Sequence, residues 1–240
     1  MAAHSDKTPT WDSFIKTLEL TEDELERAWS PVRHLNSVMN TQDLRNAYDA
    51  CLPKLSEFGT EMGQNKDLCN LTKALMESHE FDTLSQAQKK TLENSMRSFQ
   101  LSGIDLPADK QKRYGEIQQR LSELGSKFEQ NMLDNTNAWK KPISNVEELA
   151  GLPESALGMA KQAADADDSV EAEYLLNLQI PCYLAVMMHG DNRELREEMY
   201  RVYNTRASEL CSNSDWDNTP IIEETLALRH EVAQLLGFES

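Results

Sequence analysis

The sequence predicts a mainly α-helical fold, a multi-helix bundle or array with one short strand segment. Three observations carry that expectation. Gly (9) and Pro (8) are sparse in 240 residues, which leaves little turn chemistry for an all-β chain. Apolar side chains recur in steps of three and four over two long stretches, Leu44–Met62 and Tyr114–Met132. Capping and stop residues bracket several further stretches at helical lengths.

Taken in order, Thr21-Glu-Asp-Glu24 reads as a capping box opening a helix through Leu25 and Trp29. Ser30-Pro31 then supplies either a fresh N-cap and first-turn pair or a kink. Thr41 is the predicted N-cap of a helix whose stripe is Leu44, Tyr48, Cys51, Leu55, Phe58 and Met62, with Pro53 expected to kink or break it. Helices are predicted near 66–78 and 85–101, the latter capped by Ser85 and ended by Ser102-Gly103. The stripe Tyr114, Ile117, Leu121, Leu124, Phe128 and Met132 follows Pro107, a residue suited to a first helical turn. Another helix is expected at 153–165. These stripes read as core-facing surfaces rather than cofactor sites.

An acidic run of small residues, Asp165–Glu173, reads as an exposed loop. Tyr174–Ile180 is the best strand candidate, stopped by Pro181. Helices resume at roughly 182–189, 192–210 and 220–236, the last closed by Gly237 as a C′ residue. The expected organisation is an amino-terminal helical lobe over 1–165 and a strand-helix-helix segment over 166–240. A chain of this length has enough material for a sizeable core, removing roughly 70% of its unfolded surface on folding.

Charge and cysteine usage narrow the function. The net charge is −17, from 41 acidic and 24 basic side chains. A field of that sign repels phosphate backbones and anionic lipid surfaces, so neither nucleic acid nor membrane is an expected partner. Cys51, Cys69, Cys182 and Cys211 form no paired spacing of the secreted or zinc-binding kind. Met1–Lys7 lacks the apolar core of a signal peptide, and the longest apolar run, Leu184–Met188, is too short to span a bilayer. Cytoplasm is the expected location.

The residues that most resemble a reactive site fail on inspection. His230-Glu231-Val-Ala-Gln234 has the start of a zinc-peptidase helix, in which two histidines one turn apart hold the metal and the Glu acts as base. Its second ligand position holds Gln234, a neutral amide. Cys182 and His189 are seven apart and do not share neighbouring turns of one face. Glu194, Glu197 and Glu198, interleaved with Arg193, Arg196 and Arg201, read as i,i+3 and i,i+4 ion pairs on a solvated helix. Glu223 and Glu224 single out no acid/base pair. No catalytic, cofactor-binding or metal-ligating residue is assigned.

Longer segments do carry a resemblance: Ser30-Pro-Val-Arg-His-Leu-Asn-Ser-Val38, Arg113-Tyr-Gly-Glu-Ile117, Leu121-Ser-Glu-Leu-Gly125 and Gly151-Leu-Pro-Glu-Ser155. So do Ile180-Pro-Cys-Tyr183, Asn192–Tyr200, Thr205-Arg-Ala207 and Leu228–Phe238. Together, and in order from about Thr10 to Ser240, they resemble the amino-terminal half of the thimet oligopeptidase/oligopeptidase A family of zinc metallopeptidases. The resemblance implies one helical lobe of a two-lobed enzyme whose deep channel admits short peptides. It also implies that the zinc, its ligands and the substrate-binding residues belong to a carboxy-terminal catalytic half, the expected partner of this segment. On that reading the chain holds no cofactor and is inactive by itself. A reading of a different class is a stand-alone helical module that binds peptides or proteins without hydrolysis. A third is half of a split enzyme completed by a separate catalytic half.

Overall fold

In the computed structural model, residues 8–240 are described; Met1–Lys7, read above for a signal peptide, lie outside the described residues. Ten α-helices and two short strands make up the regular structure among the described residues. The chain divides into two compact units: the described residues up to Gly125 with Thr225–Ser240, and Ser126–Glu224. The boundary expected after residue 165 falls inside the second unit, at the end of a helix.

In the first unit the chain opens with a capping box at Thr10 and Ser13, leading through a π-helical turn, Trp11–Ile15, into α1 (Lys16–Val38). The expected start at Thr21 is therefore one to two turns late. Thr21 sits inside the helix and donates its hydroxyl to the Thr17 carbonyl. α1 runs through Pro31 and α2 (Gln42–Gly63) runs through Pro53, so neither proline ends its helix. Thr41 caps α2 as its spacing predicted, and Trp29 of α1 stacks on Tyr48 of α2 with ring centroids 5.0 Å apart. α3 (Lys66–Met76), α4 (His79–Thr83) and α5 (Gln86–Leu101) follow, each of the longer two opened by a side-chain cap, Asn65 and Ser85. Leu75, Leu92 and Ile15 are buried together at their centre. α6 (Ala108–Ala138) carries its stripe inward through Ile117 and Leu124, both buried.

The second unit is built around a two-stranded antiparallel sheet. β1 (Lys140–Ile143) pairs with β2 (Tyr174–Asn177), Lys140 opposite Asn177 and Ile143 opposite Tyr174. The strand expected over Tyr174–Ile180 is thus shorter, because Ile180 and Pro181 open α8 (Ile180–His189). Proline at the start of a helix loses no hydrogen bond there. β1 has no counterpart among the expected elements: Lys-Lys-Pro-Ile lacks alternation, and its pairing with β2 makes it a strand. Leu175 and Leu176 point to opposite faces of β2, yet both are buried. Helix α7 (Glu154–Asp165) lays Ala156, Ala160 and Ala164, one turn apart, into the interior, and small side chains let it approach the strand closely. α9 (Arg193–Asn204) contributes Leu195 and Met199 to the same core, ending six residues earlier than expected. Gly151 has φ +88°, and a Cβ there would run into the His189 carbonyl, so the turn into α7 admits only glycine. α10 (Thr219–Leu235) closes at Gly237, whose φ of +85° fits the predicted C′ role.

Between α9 and α10 the chain has only turns and a short 3-10 helix, Ser214–Trp216, and side-chain amides anchor its two buried residues, Ala207 and Asn218. Asn131 of α6 donates to Asn218 Oδ1 at 2.9 Å, and Asn218 donates to the Phe128 carbonyl at 3.1 Å. The Asn218 backbone N–H bonds the Ala207 carbonyl, while the Ala207 N–H bonds Asn135 Oδ1 at 3.3 Å. Ala207 is buried at φ +47°, a left-handed conformation that costs a non-glycine residue roughly 1–2 kcal/mol. Both of its backbone groups are paired by this network, which holds it there.

Asn131 Oδ1 has no partner, so Asn218→Ala would orphan the whole buried Asn131 amide. The expected cost is about 2–4 kcal/mol. It is read as a lowered urea midpoint with an unchanged denaturant slope.

Candidate functional site

The zinc-peptidase-like stretch of α10 is occupied by structural contacts. Glu231 is gripped by Arg113 of α6 through two parallel bonds, Nε–Oε1 at 2.6 Å and Nη2–Oε2 at 2.7 Å, both within the first unit. That pairing holds the Glu231 carboxyl below its ordinary range and the Arg113 guanidinium above its own. Gln234 donates its amide to the Glu239 carbonyl. His230 is exposed, with no second histidine one turn away. The positions that would be base and second ligand are thus joined to other groups. The zinc implied by the resemblance finds no fitting donor set here, and no group of three His, Cys, Asp or Glu among the described residues is arranged to hold a metal ion.

The other candidates are likewise separated. Cys182 is half-buried and accepts the Asn177 N–H at 3.5 Å, while burial raises its thiol above the ordinary value. A thiol kept protonated by an apolar setting is a poor nucleophile. His189, at the far end of α8, is exposed. On α9 the expected local ion pairs do not form among the described residues. Glu198 reaches across to Lys141 of β1 at 2.5 Å, and Arg196 donates to the Gly190 carbonyl at the end of α8. Both side chains serve tertiary contacts that helical spacing could not reveal.

The second unit holds several concave sites, among them one of about 450 Å³ beside Lys140 and Asp167 and two with more apolar lining. The first is an apolar groove of about 160 Å³ between α7, β2 and α8, floored by Ala156, Ala160 and Val186. The second is larger, about 530 Å³, and mixed in character. The end of α6 supplies Asn135 and Ala138; Trp139 and Lys140 follow. α9 supplies Arg201 and Val202, with Thr205 after it, and Leu210–Ser212 form the remaining side. No carboxylate lines it. Lys140 is paired with Asp167 at 2.5 Å, whereas the Arg201 guanidinium makes no hydrogen bond or ion pair among the described residues. No local motif marks these side chains, because they come from three separate elements and a loop.

Comparison with known proteins adds a second line. The profile of the neurolysin/thimet oligopeptidase amino-terminal domain matches residues 3–111, and that of peptidase family M3 matches residues 186–240. Oligopeptidase A of Haemophilus influenzae is 56% identical over 232 residues, 96% of this chain and 34% of that protein. Oligopeptidase A of Escherichia coli is 52% identical over the same share of each. A probable cytosolic oligopeptidase A of Arabidopsis thaliana is 39% identical over 97% of this chain and 33% of its own length. The chain spans about a third of the length of these relatives.

The Lys140–Asp167 pair makes a prediction about pH. The bond from Lys140, aided by two from Ser169, lowers the Asp167 carboxyl from 3.8 to about 2. A carboxyl depressed on folding contributes stability that is present above its unfolded value and lost as pH falls through the folded one. A carbon-detected NMR titration is expected to place the Asp167 midpoint near 2, and Lys140→Gln to move it part of the way back towards 3.8.

Proposed function

The chain belongs to the thimet oligopeptidase/oligopeptidase A family, and we propose that it is the amino-terminal, non-catalytic portion of a metallo-oligopeptidase acting on short peptides. The observation that carries this is the collinear match to oligopeptidase A at 52–56% identity over 96% of the chain, confined to about a third of the relatives. On this reading the reacting groups lie in the part of the relatives outside the matched third, while identity at that level supports a shared helical framework. Its role in catalysis is then steric: helices wall one side of a channel, limiting substrates to short, flexible chains. The zinc and the base that attack the peptide bond belong to a carboxy-terminal catalytic part, the partner of this segment.

Apolar surface supports a partner lobe. Met188 (70% exposed) and Leu184 lie on α8, and Leu226 (61%) and Ile222 on α10, in faces that a free-standing protein has reason to cover. No helix among the described residues is long and apolar enough to cross a membrane, so a bilayer-spanning helix does not account for them. The net charge of −17 disfavours an anionic partner and suits a cytoplasmic peptidase lobe.

The test is a chimera in which this chain replaces the matched third of Escherichia coli oligopeptidase A. We expect it to hydrolyse short peptides in a chelator-sensitive manner and to leave folded proteins intact, while the 240-residue chain alone cleaves neither. Chelator-sensitive cleavage by the purified chain alone, with contaminating peptidase excluded, would overturn the reading. So would a folded chimera with no hydrolysis.

A further inference from the structure

The larger pocket of the second unit holds polar groups that the fold leaves unused. Asn135 is only 7% exposed, and its Oδ1 is taken by the Ala207 N–H, which fixes the orientation of the amide. Asn135 lines the pocket, and its Nδ2 donates to no group among the described residues. Arg201 brings the one uncompensated charge, since Lys140 is already neutralised by Asp167. The Thr205 hydroxyl spends its proton on the Arg201 carbonyl and the Cys211 thiol on the Asn213 carbonyl, so neither competes as a donor. Apolar surface completes the lining: Trp139, Val202 and the buried Leu178, with Leu210 standing 71% exposed on one side.

We propose that this pocket binds a small organic carboxylate carrying an aromatic or branched apolar group. Its volume of about 530 Å³ falls within the roughly 300–1,000 Å³ usual for small-molecule sites. A free guanidinium and a free amide N–H match the two oxygens of one carboxylate, and guanidinium–carboxylate geometry favours paired bonds. A phosphate dianion would leave half of its charge uncompensated beside a single free cation. Sign matters as well: in a chain of charge −17, a pocket lined without a carboxylate and with a free arginine selects against the surrounding field. Trp139 and Val202 offer a flat and a branched surface for the ligand's body. The inference rests on this lining alone and does not depend on the peptidase reading.

The experiment uses the full chain with fluorine-labelled tryptophan, the Trp139 resonance being assigned by its loss in Trp139→Phe. N-acetylphenylalanine is titrated against its uncharged amide. The acid is expected to shift the Trp139 resonance saturably, and the amide to bind at least about tenfold more weakly. Arg201→Ala should weaken the acid by at least about the same factor, while Arg193→Ala, on the same helix but outside the pocket, leaves it unchanged. Arg201 is exposed and unpaired, so its removal should not alter the melt, which is recorded alongside. Free phenylalanine and glycylphenylalanine, run in parallel, separate an amino acid from a peptide terminus as the source of the carboxylate. The proposal fails if the acid gives no saturable shift up to its solubility, if acid and amide bind equally, or if Arg201→Ala binds as the unsubstituted chain does.

Discussion

The second unit depends on how α6 holds a stretch of chain that has no ladder of its own. Residues 205–218 run between two helices and are buried at Ala207 and Asn218, where a backbone group without a partner costs more than any single contact returns. Asn131 and Asn135 lie one turn apart on α6 and reach this stretch at two points, Asn218 and Ala207. Asn218 then returns a bond to the Phe128 carbonyl, so the network begins and ends on the same helix. Apolar packing could bury this segment but could not fix its register; directional amide bonds do both. The left-handed Ala207 shows how firmly, because an alanine stays in that conformation only where its surroundings over-determine it.

Much of the helical fold was legible because it is written in local terms. The steps of four and three from Leu44 to Met62, the Thr41 cap and the Ser85 cap each depend on neighbours within a turn or two. Where the reading slipped, a distant contact decided. Thr21-Glu-Asp-Glu24 satisfies the capping pattern, yet Thr10 starts the chain's first helical stretch sooner, and a cap is not needed where a turn already exists. Pro31 and Pro53 remove a hydrogen bond each, but helices flanked by stacked Trp29 and Tyr48 continue across the gap. β1 is the clearest case: Lys140–Ile143 has no strand signal and becomes a strand only opposite β2.

The candidate site was far less legible, for the same reason turned around. His230-Glu231 looked like chemistry because spacing is visible in sequence, but the partner that defines Glu231 is Arg113, 118 residues away. The charges of α9 looked like a solvated face because their neighbours on the helix alternate in sign. In the folded unit Glu198 turns to β1, Arg196 caps α8, and Arg201 is left over. Arg193 is unpaired among the described residues as well, so it is the pocket lining together with the pairings that singles out Arg201.

Asn135 joins these two strands of argument. One end of its amide holds Ala207 and so belongs to the fold; the other has no partner among the described residues, and the residue lines the pocket. A side chain whose oxygen is committed cannot rotate to offer that oxygen elsewhere, so Asn135 offers a donor rather than an acceptor. The same bond therefore sets the register of the 205–218 stretch and the polarity of the cavity beside it. Polarity fixed in this way discriminates between a carboxylate and its amide without any movement of the protein, because the amide would place its own N–H groups against Nδ2 or give up one of its two acceptors. A pocket whose selectivity is set by a structural hydrogen bond keeps it for as long as the unit stays folded.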